Sequence, residues 1–436
     1  MTTRLTIVAD DLTGAADTAG PFAAAGLRTA VAFGASAPPD VDVLARSTES
    51  RGEPIATATA RTQAVLRAAA CSAHDDALGS SPSAATSHWT SDWFYKKIDS
   101  ALRGCPAEDV LAAMTALDAK RVVVAPALPA EGRTTVGGRQ YLHGVRLERT
   151  HFGIASDLVA RFRAVARVPV SLLNLPTIRD HPERLAACIG ERLGVIIADA
   201  ETDADLGAIA KAVVDADVHL CAGAAGLAGA LVGALPFTEK RGLPCPPTHS
   251  GRPALIVAGS RHETTSRQLA RLQDHGVRTI RLPQAAIEQL TMPLDALIDA
   301  VASALAAGQA TAITCDGLGP CPFGGAFVAD RLAQIAVAPA VLGAARSLIL
   351  TGGDVAAAVC AALRVETMWL GGEVVPAIPW GILAGPAVSE LAVVTKAGGF
   401  GPDDALWLAV QHLRSLTSAP RRDMADSKGA AQTTLL

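Results

Sequence analysis

Two adjacent carboxylates, Asp10 and Asp11, end a short apolar run near the start of the chain (TIVADDLTGAADTAG, residues 6–20), and Thr13-Gly14 then opens a stretch of small residues. One carboxylate at such a place caps a helix by accepting from its first free amides. A pair exceeds what a cap needs. One of the two could take the proton of a substrate hydroxyl, while the amides of the helix start receive an anion. A second group stands in YKKIDSALRG (95–104), where strand alternation sets Lys97 and Asp99 on one side and Lys96 and Ile98 on the other. Lys97, Ser100 and Arg103 would make a compact donor set for a carboxylate-bearing ligand, with Arg103 binding in a bidentate fork; the alternative is a surface Lys–Asp ion pair. Arg51 of STESRG (47–52) adds a cation, and APALPAEGRTTVGGRQYLHG (125–144) adds Glu131, Arg133, Arg139 and His143 around Gly137-Gly138. Long ordered loops of this kind usually shape a binding site, here with a hairpin at the glycine pair.

The second half is poorer in carboxylates and richer in glycine turns. AGSRHETTSRQ (258–268), LTGGDVAAAV (350–359) and TKAGGFGPDD (395–404) each read as a strand ending in a glycine turn. Three such junctions at one sheet edge would align backbone amides toward phosphates. Each alone is explained by turn geometry; together they favour a nucleotide site. No G-x-x-x-x-G-K-[ST] occurs, and GAAGLAG (223–229) is not the G-x-G-x-x-G dinucleotide pattern.

These groups can converge only if parallel strands end side by side, and the pattern of short β-branched runs separated by helix-like stretches predicts that. Strands are expected at Leu5–Val8, Val41–Ala45, Trp93–Ile98, Val168–Leu172, Ala254–Ala258, Ser347–Thr351 and Leu391–Val394, among others, with helices such as Ala15–Ala25 and Ala107–Leu117. The fold class is α/β, in two domains each with a mainly parallel sheet flanked by helices and the active site in the cleft between them. LPCPPTHSGRP breaks the pattern, giving domains at 1–242 and 254–417 with a linker at 243–253. A polar excursion at 79–88 and a disordered tail at 418–436 complete the division.

Composition narrows the function. Of 436 residues, 50% are hydrophobic and 18% charged, and 38 basic against 42 acidic residues give a net charge of −4, so there is no general attraction for nucleic acid or anionic membrane. Eight scattered cysteines without a C-x-x-C pair argue against a zinc site or disulfide framework. No apolar run reads as a signal peptide or membrane span, and a cytoplasmic protein is expected.

Taken in order from about residue 5 to 412, ADDLTGAADT, TESRG, YKKIDSALRG, PALPAEGR, IIADAETDADL (196–206), AGAAGLAGAL, AGS, TGGD and TKAGGFG resemble the four-carbon acid sugar kinases. The resemblance implies an N-terminal acid-sugar-binding domain, a C-terminal ATP-binding domain, and phosphorylation of the terminal hydroxyl of threonate, erythronate or a 3-oxo-tetronate. It implies Asp10 and Asp11 at the reacting hydroxyl. Arg51 and the stretch Lys97, Ile98, Asp99 and Ser100 would lie on the acid, joined by Arg103 of the donor set above. Ser260, Gly352, Gly353, Asp354, Val355, Lys396, Gly398, Gly399 and Gly401 would lie on the nucleotide, with Asp354 also facing Mg2+. Partners would be the small acid and ATP, with a homodimer left open. Ala101, Val355 and Ala224 stand where the family often has Thr, Thr and Ser. Each lost hydroxyl would weaken a charged ligand's binding by roughly 1.5–3 kcal/mol if it had bonded that ligand. A catalytically weak member acting as a sensor is therefore the alternative function, and a nicotinamide-dependent dehydrogenase lacks its fingerprint glycines.

Overall fold

The computed structural model describes residues 4–34, 38, 40–70, 91–244, 253–345 and 347–416. The expected excursion at 79–88, most of the 243–253 linker and the 418–436 tail lie outside the described residues.

The first half contributes β1 (Leu5–Ala9), β2 (Thr29–Ala32), β3 (Val43–Ser47), β4 (Trp93–Lys97), β5 (Arg121–Ala125), β6 (Arg133–Val136), β7 (Arg139–Leu142), β8 (Val145–Arg146), β9 (Val170–Leu173), β10 (Gly194–Ala198) and β11 (Leu220–Gly223). The second contributes β12 (Ala254–Ala258), β13 (Arg278–Arg281), β14 (Thr311–Thr314), β15 (Ser347–Thr351), β16 (Thr367–Val375), β17 (Ile378–Gly385) and β18 (Val388–Lys396). From β9 to β2, in the order β9-β10-β5-β11-β4-β1-β3-β2, every pairing is parallel. The second half repeats the arrangement in β13-β14-β12-β15-β18, then adds the antiparallel strands β17 and β16. The α/β expectation therefore holds in both halves.

The two sheets are also joined. β16 pairs antiparallel with β2, from Thr367 opposite Ala32 to Leu370 opposite Thr29, so one continuous ladder crosses from the second half to the first. β17 had no place in the sequence reading because Pro379 and Gly381 break its pattern; it fits because the strand lies in an antiparallel meander with irregular register on both sides. The β-strand expected at 168–172 begins only at Val170, after Pro169, and the one expected at 41–45 is displaced to Val43–Ser47.

Helix Leu12–Ala24 lies at the junction. It packs on β3, β16, β17, helix Ala225–Ala234 and helix Gly353–Ala362, so it touches both halves. Ala15, Ala16 and Ala19 are fully buried on it, and small side chains let so many elements approach one helix. Glycine has a similar purpose in AGAAGLAGAL. A Cβ on Gly223 would lie 2.3 Å from the Ala125 carbonyl oxygen and 2.7 Å from the Tyr95 hydroxyl, so this glycine permits close packing of strands and is not a phosphate turn.

Asp199, in IIADAETDADL, accepts from the Gly137 and Gly138 amides at 2.8 Å each and so fixes the β6–β7 hairpin. Thr202 and Asp205 of the same motif form a capping box for helix Asp203–Asp215. Lys96 likewise belongs to the framework. Its side chain is fully buried on the face of β4 opposite Lys97 and pairs with Asp109 at 3.0 Å. Removing one member leaves the other charge buried alone. Lys96→Ala should lower the unfolding free energy by about 3–5 kcal/mol, whereas Lys96→Met combined with Asp109→Leu should recover most of that loss in chemical denaturation.

Candidate functional site

Three neighbouring strands, β3, β1 and β4, deliver their carboxyl ends to one spot. Asp10 and Asp11 follow β1, Arg51 follows β3, and Asp99 follows β4. Arg51 binds Asp10 through two parallel hydrogen bonds, Nε to Oδ2 at 2.8 Å and Nη2 to Oδ1 at 2.7 Å. Its Nη1 donates to Asp11, and Nη2 lies 3.8 Å from Asp99 Oδ1. Asp11 is at once the cap of helix Leu12–Ala24, accepting from the Gly14 amide at 2.7 Å, and a member of this charged group. Asp11 thus meets the cap expectation, and Asp10 is bound by Arg51 instead of capping. Burial drives the Asp10 carboxyl upward, but Arg51, Lys96 and Lys97 more than offset this, and its pKa falls below the usual value.

Asp99 is held more tightly still. Burial opposes its charge, but Arg103 donates from Nε at 2.9 Å and Nη2 at 2.7 Å, and the Ala101 and Arg103 amides donate to Oδ2, so the carboxyl stays well below its ordinary range. Lys97 lies beneath these groups. It is almost fully buried, its ammonium makes no hydrogen bond among the described residues, and its charge lowers Asp10, Asp17 and Asp99. Asp17, unmarked in the sequence reading, is pushed up to about 7 by burial despite Lys97.

Across from this group, the second half presents its glycine turns. Gly352 caps helix Gly353–Ala362, with Asp354 in the first turn, and Ser260 follows β12. A Cβ on Gly398 would lie 1.9 Å from Ser260 Oγ, so two of the turns touch each other and only glycine fits. A Cβ on Gly353 would lie 3.1 Å from Asp11 Oδ2, which measures how closely the second half's helix start meets the first half's carboxylate. The whole arrangement encloses a cavity of about 690 Å³ lined from both halves, by Asp10, Asp11, Arg51 and Arg103 on one side and Ser260, Gly352–Asp354 and Gly398–Phe400 on the other. Cys315, Pro320, Cys321, Val328 and Ala329 add apolar surface to its wall.

Several expected site residues prove to have other positions. Ile98 is in the core, because alternation turns it to the Lys96 face. Lys97, Asp99 and Ser100 are buried and do not line the cavity, Asp99 being covered by Arg51 and Arg103. Lys396 does not reach the cavity; its Nζ is turned onto backbone carbonyls of its own turn. Val355 is a buried wall residue against Gly259, without a polar atom to offer. Gly401 faces a second cavity of about 410 Å³, which His143 also lines. Arg139 pairs with Asp157 at 2.8 Å. Of the three missing hydroxyls only Val355 borders the main cavity. Ala101 and Ala224 are buried elsewhere, which removes most of the case for a crippled site.

The sequence reading missed Glu49, Thr13, Phe152 and His262, all lining the cavity. Glu49 was legible in TESRG, and Thr13 in DDLTG; Phe152 and His262 carry no motif signal. Burial and the neighbouring His151 lower the His262 pKa. Among the described residues no three His, Cys, Asp or Glu side chains are grouped to hold a metal, and no helix is long and apolar enough to cross a membrane.

Because Arg51 is what keeps Asp10 ionised, its loss has a definite sign. The folded pKa of Asp10 lies below its unfolded value, so its stabilising charge is present above about pH 4 and is lost as pH falls through the folded value. In Arg51→Gln only burial and the two lysines act, and the acid limb of the kcat/KM profile should move to higher pH by about 1 unit or more. An unmoved limb would mean that Asp10 need not be ionised.

Comparison with known proteins agrees with the division of labour in the cavity. Residues 5–231 match a sugar-binding N-terminal domain and residues 255–406 a nucleotide-binding C-terminal domain. A D-threonate kinase of Salmonella typhimurium is 32% identical, the match covering 95% of this chain and 99% of that protein. A D-threonate kinase of Cupriavidus necator is 34% identical over 93% of this chain and 97% of its own length. A D-erythronate kinase of Heliobacterium modesticaldum is 28% identical, with 94% and 97% covered. A crystal structure from Haemophilus influenzae shares the fold at a TM-score of 0.67 and 20% identity, covering 94% of this chain and 100% of that one. With both of its domains matched and relatives of this similarity along nearly its whole length, the chain belongs to the four-carbon acid sugar kinase family.

Proposed function

We propose that this protein transfers the γ-phosphoryl group of ATP to the terminal hydroxyl of a four-carbon acid sugar, with D-threonate as its preferred acceptor. The observation that carries the reading is the single cavity lined by an arginine–carboxylate group from one half and by glycine turns from the other. D-threonate is favoured because relatives bearing that name are 32% and 34% identical, against 28% for the D-erythronate kinase and 27% for a 3-oxo-tetronate kinase.

Arg103, with 48% of its side chain exposed and Nη1 making no hydrogen bond among the described residues, would receive the acid's carboxylate, helped by the N–H groups of Arg51 that Asp10 and Asp11 leave free. The phosphates would lie against the helix start at Gly353 and the Gly398–Gly399 turn, with the base against the apolar lining residues Cys321 and Val328. Asp11 is the better base, since its Oδ2 stands 3.1 Å from where a Cβ on Gly353 would lie, and Arg51 holds it through that one oxygen, whereas Asp10 is bound by Arg51 through both of its oxygens. As the hydroxyl oxygen bonds to the γ-phosphorus, the bond to the β,γ-bridging oxygen breaks, ADP leaves, and the hydroxyl proton passes to Asp11. Asp354 fits a Mg2+ ligand: its carboxylate makes no hydrogen bond among the described residues and lines the cavity beside the helix start. Mg2+ is commonly held by one carboxylate with the phosphates and water, and supplies neutralisation of phosphate charge.

ADP release measured with D-threonate, D-erythronate and 3-oxo-tetronates should give the highest kcat/KM with D-threonate; failure to consume ATP with any four-carbon acid would overturn the reading. Asp11→Asn should lower kcat by on the order of 10² or more with ATP affinity nearly unchanged. Turnover surviving Asp11→Asn but not Asp10→Asn would move the base to Asp10.

A further inference from the structure

The turn Ala397–Gly401 is held from beneath by a buried ammonium and from the side by a carboxylate of the other half of the chain. Lys396 Nζ donates to the carbonyls of Ala397 at 2.9 Å, Gly398 at 3.1 Å and Phe400 at 3.2 Å. Its side chain lines neither cavity, and no carboxylate lies within ion-pair distance among the described residues. All three of its protons are thus directed at the turn. Three oxygens that would repel a phosphate are drawn inward, which a glycine-rich segment would not do unaided, since its free backbone samples many forms. Glu131 Oε1 accepts from the Gly401 amide at 3.0 Å across a sequence gap of 270 residues. Glu131 is only 14% exposed and stands 3.5 Å from Arg133, whose guanidinium lies over the Phe400 ring at 5.0 Å.

We propose that Lys396 and Glu131 are positioning residues that fix this turn in its phosphate-receiving form, so that ATP binding in the second half depends on a side chain of the first. The inference rests on the nucleotide reading of the cavity. It gives the PALPAEGR loop a task in nucleotide binding, although that loop belongs to the half matched as sugar-binding. Burial brings the Lys396 ammonium down to about 7, and Glu131 opposes that shift.

The experiment uses the full chain and measures ATP affinity by calorimetry together with KM and kcat for both substrates. Wild type must bind ATP; if it does not, the nucleotide reading falls and this inference with it. Given that binding, Glu131→Ala should raise KM for ATP about tenfold or more while kcat at saturating ATP and KM for the acid stay within about threefold. Glu131→Gln keeps an oxygen able to accept from Gly401 and should remain within about threefold of wild type in every constant. Lys396→Met should raise KM for ATP in the same selective way, and combined with Glu131→Ala should add less than the product of the two effects, because both act on one turn. Unchanged ATP affinity in Glu131→Ala, or equal losses in Glu131→Gln and Glu131→Ala, would overturn the inference. Glu131 variants carry the test alone if Lys396→Met does not fold, since the Glu131 side chain lines a cavity and is not packed in a hydrophobic core.

Discussion

One guanidinium allows three carboxylates to stand together at the ends of adjacent strands. Asp10, Asp11 and Asp99 are brought together by the order β3-β1-β4, and without compensation their mutual repulsion would protonate at least one of them. Arg51 joins all three, with Arg103 covering Asp99 from outside and Lys97 lying below. Three negative and three positive charges leave the group close to neutral, which permits its burial. A planar fork is required because Asp10 is bound through two parallel bonds; a lysine could not reproduce that geometry.

The glycine turns of the second half solve the opposite problem. They carry little charge of their own and offer amides and a helix start, so they suit a ligand that brings its own anions. The cavity therefore pairs a wall of fixed, balanced charges with a wall of dipoles. The small-residue helix Leu12–Ala24 is what lets the two walls come close: its cap is Asp11, and its body packs on strands from both halves.

How much of this could be read from residue order follows from what residue order encodes. Asp10, Asp11, Arg51 and Arg103 were legible because polar residues at the ends of apolar runs have few other uses in a parallel sheet. Membership of a motif does not say which atom a residue employs. Lys396 in TKAGGFG uses its ammonium on backbone carbonyls, Asp199 in IIADAETDADL clamps a hairpin, and Ile98 fills the core. The meeting of Glu131 with Gly401 had no sequence signal, since it depends on how two halves dock and not on local pattern. β17 was hidden by Pro379 and Gly381, whose penalty a long antiparallel meander absorbs.

The ladder between β2 and β16 bears on how this chain can be divided. A domain boundary drawn at the Pro-rich segment severs the polypeptide where its local pattern breaks, but it also parts four-residue β2 from nine-residue β16, its antiparallel partner. Each half made alone would end in a bare row of amides and carbonyls, the kind of edge along which chains of one sort add to one another. A fragment of either half would therefore be prone to self-association before its ligand-binding turns were ever tested, and a workable dissection would have to donate the missing strand: β2 supplied to the second half as a tethered segment, or β16 to the first.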